Sequence, residues 1–220
     1  MYYPPYKNQI QSTSTSKDIT PFAPIILKAH YDRFDPVKIT PFLKQVMSAN
    51  VKTDTNWSID ENDLNQQFDD NNIPHLNPIF KDFYDWLNPI VMDIIFNKYE
   101  YSKHMKYAIY NSWINLHIPG GSTEAHNHGP AVVAVSTYLY MPKDGGYIEF
   151  YDPLEYHKAH LPRVIDDQQS NWKAVPTVTG DVVLFPGWLK HRTQVNKSNE
   201  NRWVLTTNYI CTNIPTKATK

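Results

Sequence analysis

Hydrophobic positions change their period partway along the chain. Ile79, Phe83, Trp86, Leu87, Ile90 and Ile94 fall near helical spacing, which predicts a helix from about Pro78 to Tyr99. Pro89 lies inside that run and implies a kink or a break. A second helix is predicted from Asp35 to about Asn50, with Asp35 as its cap and Pro36 at the first helical position. Before it, Pro24–Ala29 reads as a strand. From Lys106 onward the runs shorten and become β-branched or aromatic: 107–116, 131–141, 147–151, 181–185 and 202–210. Pro-Gly-Gly, Pro-Lys-Asp-Gly-Gly and Thr-Gly-Asp separate them as turns. Strands at this spacing predict a sandwich or barrel. Residues 1–20 are polar and read as a loose leader, and 51–74 have no clear period and read as loop. The expected organisation is therefore a leader (1–20), a strand and helical buttress (21–105) and a β core (106–214).

Composition narrows the class. Hydrophobic residues make up 41% and charged residues 20% of the 220 residues, enough for a sizeable core in one domain. The net charge of -1 has no basic block behind it, which argues against a nucleic-acid partner. No apolar run approaches the roughly 18 residues of a membrane span, and the N-terminus lacks a secretion-signal layout. Cys211 is the only cysteine, so neither an internal disulfide nor a thiolate metal cluster can form. A cytoplasmic protein is the expectation. Fifteen tyrosines, six tryptophans and seventeen prolines suit an aromatic-walled β fold more than a helix bundle.

The candidate chemistry rests on three histidines and an arginine. His126 and His128 form an H-x-H pair after Gly120-Gly121, and on a strand both would reach one ion while Asn127 points away. His191 closes the run from Gly180 through Pro186-Gly187-Trp188, a turn that can aim it inward. Histidines far apart in sequence and gathered by a barrel suit a mononuclear transition metal. Arg202, eleven residues on, suits the far carboxylate of an acidic co-substrate. An H-x-H pair alone is more often a plain surface or core pair; the Gly-Pro-His segment and Arg202 tip the balance to a metal. His30, His75, His104, His157 and His160 read as ordinary imidazoles, with His117 the one to watch.

Trp113-Ile-Asn115, Gly120–Pro130, Tyr138-Leu-Tyr-Met-Pro142, Gly146–Phe150, Asp152-Pro153, Pro176, Gly180–His191 and Arg202 together resemble the 2-oxoglutarate/Fe(II) oxygenase family, prolyl-hydroxylase-like but with His-x-His as first motif. The resemblance covers roughly 106–210. It implies a mainly β double-stranded β-helix (jelly-roll) barrel supported by N-terminal α-helices. It also implies an Fe(II)- and 2-oxoglutarate-dependent dioxygenase that hydroxylates its substrate and releases succinate and CO2. By position, His126 and His191 match metal ligands, Arg202 the residue that grips the far carboxylate of 2-oxoglutarate, and Tyr138 a second donor to it. Trp188, Trp113 and Tyr110 are candidate walls for the substrate, a small molecule or a protein residue.

Two departures stand out. The wider superfamily has a carboxylate where this chain has His128, so either His128 or a carboxylate such as Glu124 or Asp152 completes the site. Many members also place a serine where this chain has Val204, which leaves the co-substrate to Arg202, Tyr138 or Thr206. One rival is a cupin-type three-histidine metalloprotein without 2-oxoglutarate, but Val132 and Val133 stand where its glutamate belongs. Another is a non-catalytic jelly-roll module. Segments 51–74 and 154–173 read as substrate lids. Pairing as a homodimer through the aromatic N-terminal helix is open.

Overall fold

A computed structural model describes residues 24–49, 56–58, 73–155 and 171–212. Nine strands are placed there: β1 (Leu27–His30), β2 (Asn56–Ser58), β3 (Tyr107–His117), β4 (Val133–Tyr140), β5 (Ile148–Tyr151), β6 (Trp172–Val175), β7 (Asp181–Phe185), β8 (His191–Thr193) and β9 (Arg202–Cys211). They make a six-stranded sheet in the order β1-β7-β4-β9-β3-β2 and a three-stranded sheet in the order β6-β5-β8. All pairings are antiparallel. This is the mainly β, jelly-roll architecture that the resemblance implies.

Alternation along the central strands sorts two cores. Val133 and Val135 of β4, with Leu205 and Tyr209 of β9, pack against Phe80, Phe83, Leu87, Val91 and Ile95 of the helical segment. Ala134, Tyr138 and Val204 belong to a second cluster with Ile148, Phe150, Val183 and Phe185. β7 serves both: Val182 and Leu184 join the first cluster, Val183 and Phe185 the second, and all five of its residues are buried. Burying side chains such as Leu87 and Phe80 completely stabilises the fold by about 1.5–3 kcal/mol each.

Helix α1 spans Pro36–Ala49, and Asp35 caps it by accepting from Val37 N at 2.9 Å. The second helical stretch opens as a 3₁₀ turn (Pro78–Phe80), continues as α2 (Lys81–Asp93) and ends as a π-helical turn (Ile94–Lys98). Pro89 does not break it. The ring removes one intrahelical donor, and the packed apolar face outweighs that loss.

Three strands were not legible. β2 lies inside the segment read as loop and pairs with β3 at His117, Leu116 and Asn115. β6 starts at the end of the segment read as lid and runs beyond it, and β8 begins at His191 itself. Strands of three or four residues at a sheet edge take their stability from backbone pairing and carry little apolar period. The leader 1–20, most of 51–74, and His157 and His160 lie outside the described residues. No helix among the described residues is long and apolar enough to cross a membrane.

Candidate metal centre and its cavity

The H-x-H pair is not on a regular strand. His126 forms an isolated bridge with His191, each accepting from the other's backbone N–H at 2.9 Å, and His128 N donates to Gly187 O at 2.8 Å. The turn after β7 thus holds the H-x-H segment against the start of β8. A Cβ on Gly187 would stand 2.1 Å from Ala131 O, so only glycine permits this approach.

The three imidazoles converge, with one ring nitrogen of each inside a 4.8 Å group. His128 Nε2 and His191 Nε2 are 3.1 Å apart, and their rings stack at 10°. Two nitrogens held about 2.1 Å from one ion at right angles are themselves about 3 Å apart, so this spacing fits a shared metal. Tautomers agree with that. His126 Nδ1 donates to Glu124 O at 2.8 Å and His191 Nδ1 to Leu189 O at 3.0 Å, because a carbonyl can only accept. Each therefore turns an Nε2 lone pair to the centre. Burial pushes His191 down to about 3 and His128 down to about 4, helped in each case by neighbouring imidazoles, so both rings stay neutral and able to ligate. Trp113 stacks on His128 with centroids 5.8 Å apart.

Neither candidate carboxylate joins this group among the described residues. Glu124 contributes its backbone carbonyl to His126, and Asp152 caps a turn by accepting from Leu154 N at 2.9 Å. By geometry it is His128 that stands with His126 and His191 in the group that could hold an ion.

The histidines border a cavity of about 500 Å³ whose floor is the six-stranded sheet. Trp113 and Tyr110 line it, as does Tyr138; Trp188 does not line it and is half exposed. Trp188 lies in the turn between β7 and β8, three residues before His191, where its side chain is open to solvent.

At one end of the cavity Arg202 is fully buried behind Thr193 and His117. Burial lowers its pKa to about 10, which still leaves it charged at neutral pH. No carboxylate pairs with it among the described residues. Its Nη1 donates to the carbonyls of Gly145, Gly146 and Gln194, and its Nε to His117 Nδ1 at 3.3 Å. Only Nη2, which donates to Thr193 Oγ1 at 2.9 Å, keeps a hydrogen in reserve. A two-nitrogen grip on a ligand carboxylate is thus unavailable in this arrangement.

The arginine instead sets the direction of two hydroxyls. Thr193 Oγ1 accepts from Arg202 Nη2 and from Thr123 N at 2.8 Å, so its own proton is left to donate. Because His117 Nδ1 faces a pure donor, its Nε2 carries the proton and gives it to Thr123 Oγ1 at 2.6 Å. Burial and the nearby guanidinium hold His117 down at about 3, which fixes that neutral tautomer. Tyr138, 1% exposed and pushed up to about 12 by burial, remains a neutral phenol. A buried cation without a counter-charge, fronted by hydroxyl donors, fits an incoming carboxylate.

Thr123 and Thr193 were missed in the sequence. Thr193 had a signal, since it stands two residues from His191 on the same strand face. Thr123 had none, because its place depends on His117 across the sheet.

Comparison with known proteins agrees with this geometry. Residues 111–208 match the family described as "Putative 2OG-Fe(II) oxygenase", the family that the sequence resembles. That segment, a little under half of the chain, holds all three histidines and the arginine, and it is similar to the core of the 2-oxoglutarate/Fe(II)-dependent oxygenases. Among solved structures, HygX of Streptomyces hygroscopicus, with nickel and 2-oxoglutarate bound, is 13% identical over 85% of this chain and 83% of its own, with a TM-score of 0.58. A 2OG-Fe(II) oxygenase-family oxidoreductase of Burkholderia pseudomallei is 14% identical over 84% of each chain, with a TM-score of 0.52. A prolyl-4-hydroxylase of Pseudomonas putida is 15% identical over 84% of this chain and 91% of its own, with a TM-score of 0.51. At such identities these structures speak for the fold. No curated protein sequence matches the chain.

Proposed function

We propose that this protein hydroxylates a small molecule or a protein residue, using Fe(II) held by His126, His128 and His191 and 2-oxoglutarate as co-substrate. The observation that carries the reading is the histidine group: three imidazoles from separated segments, two with their tautomers set by backbone carbonyls so that Nε2 lone pairs converge. When bound, the iron and 2-oxoglutarate supply the oxidising power, with succinate and CO2 as by-products. The chain's own residues hold, orient and exclude water. The far carboxylate of 2-oxoglutarate is received by the hydroxyls of Thr193 and Thr123 and by the phenol of Tyr138, with Arg202 behind them as the compensating charge. The net charge of -1 favours neither nucleic acid nor an anionic membrane as partner, and the reading assigns the protein to the cytoplasm.

HygX has been crystallised with iron and with nickel plus 2-oxoglutarate, which supports the same metal and co-substrate here. The deciding experiment is anaerobic titration of the Fe(II)-loaded protein with 2-oxoglutarate, followed by the visible charge-transfer band of the chelate. Its appearance is expected. Bound iron without the band would turn the assignment to a three-histidine metalloprotein of the cupin type.

A further inference from the structure

The cavity has a second end, and its chemistry is different. Arg202 pairs with His117 across β9 and β3, whereas Asn208 pairs with Asn111 six residues further along β9. At about 3.3 Å per residue the two ends are roughly 20 Å apart along the strand. Asn111 and Asn208 are 8% and 6% exposed, and both line the cavity. The Oδ1 atom of each lacks a hydrogen-bond partner among the described residues. Asn208 and His128 line the same cavity, so this end adjoins the metal group.

Local backbone irregularity also turns the chain toward the cavity there. The register of β3 against β9 shifts between Ile109 and Asn111, a bulge-like irregularity at Tyr110. Tyr110 and Asn111 then both line the cavity, although consecutive residues of a regular strand would face opposite ways. Two buried carbonyl acceptors beside an aromatic ring are costly unless a donor reaches them, about 1–3 kcal/mol for each unpaired group. Glu124 is the one formally charged side chain lining the cavity among the described residues, so no lining cation offsets an anion at this end.

We infer that Asn111 and Asn208 form the recognition site for the primary substrate, and that they select a non-anionic group bearing hydrogen-bond donors, an amide N–H or a hydroxyl. The substrate is held between these carboxamides and the rings of Trp113 and Tyr110, which places its adjoining carbon toward the histidines. This rests on the oxygenase reading for what happens to the substrate, but not for its binding.

The test compares two probes that share a carbonyl and differ in their donor: N-methylacetamide and N,N-dimethylacetamide. Binding of each is followed by saturation-transfer NMR on the zinc-loaded protein, with and without 2-oxoglutarate. N-methylacetamide should bind at least threefold more tightly than the dimethyl compound, and the difference should vanish in Asn111→Leu. Asn111→Ala repeats the comparison should the leucine variant fail to fold. Equal binding of the two amides, binding of neither, or a preference that survives both Asn111→Ala and Asn208→Ala would overturn the inference. The charge-transfer titration on the same preparations separates the two questions: its failure removes the oxygenase reading and leaves the amide comparison standing.

Discussion

His191 joins the two halves of the site. Its backbone exchanges hydrogen bonds with His126, its Nδ1 is held by Leu189 O, and its Nε2 faces that of His128. Replacing it with alanine removes one of the three imidazoles and the ring against which the others are set. His191→Ala should therefore abolish stoichiometric iron binding in equilibrium dialysis, and full iron occupancy would refute its place in the centre. Thr193 is the second informative residue. Thr193→Val keeps the shape but strands Arg202 Nη2 and Thr123 N, both of which it satisfies. Affinity for 2-oxoglutarate should fall about tenfold, in line with the roughly 1.5 kcal/mol of a hydrogen bond to a charged group, while iron binding persists. A fall in iron binding of the same size would mean that the threonine supports the metal rather than the co-substrate.

Among the elements, the turn between β7 and β8 decides whether the metal group assembles. His128 hangs on Gly187 O, and the Gly187 α-carbon sits against the backbone of Ala131. Gly187→Ala must push the two segments apart, because the clashing atom is a backbone carbonyl with nowhere to move. Iron affinity should drop at least tenfold with the circular dichroism of the sheets retained; unchanged affinity would show that the turn is slack. The sequence exposed this turn through Pro186-Gly187 and read its purpose as aiming His191. It did not expose the contact with Ala131, since that contact joins residues more than fifty positions apart. The same limit explains β2, β6 and β8. Their residues carry weak apolar periods, and only their partners on β3 and β5 define them as strands.

For the whole molecule, the site is assembled at a cost in acid. His117, His128 and His191 are held neutral by burial, well below the ordinary 6.5, at about 3, 4 and 3. As pH falls below 6.5 the unfolded chain takes up protons that the folded one refuses, so stability is lost progressively toward pH 4. Asp181 adds the same trend only lower down: burial raises it, but bonds from His30, Val178 N and Lys28 outweigh that and hold it below the usual carboxylate range. The metal-free protein should have a lower urea midpoint at pH 5 than at pH 7.5, and His117→Asn should flatten the difference. A midpoint that did not move across this window would mean that these rings are hydrated in the fold.

The sequence by itself determined which elements could form and which chemistry was on offer. The change of period from 3.6 to 2 separated the helical buttress from the β core, and the histidines, the arginine and the glycine turns pointed to the reaction class, because each of these motifs is written within a short span of chain. What each side chain does was decided only in three dimensions. Arg202 was legible as a carboxylate partner, yet the fold ties its Nη1 and Nε to backbone carbonyls and His117, so its charge is expressed through Thr193 and Thr123. Trp188 read as a cavity wall and stands outside it, while Asn111 and Asn208 read as nothing in particular and line it. Hydrogen-bond partners and exposure belong to pairs of residues brought together by sheet register, and register between distant strands is not written in either strand alone.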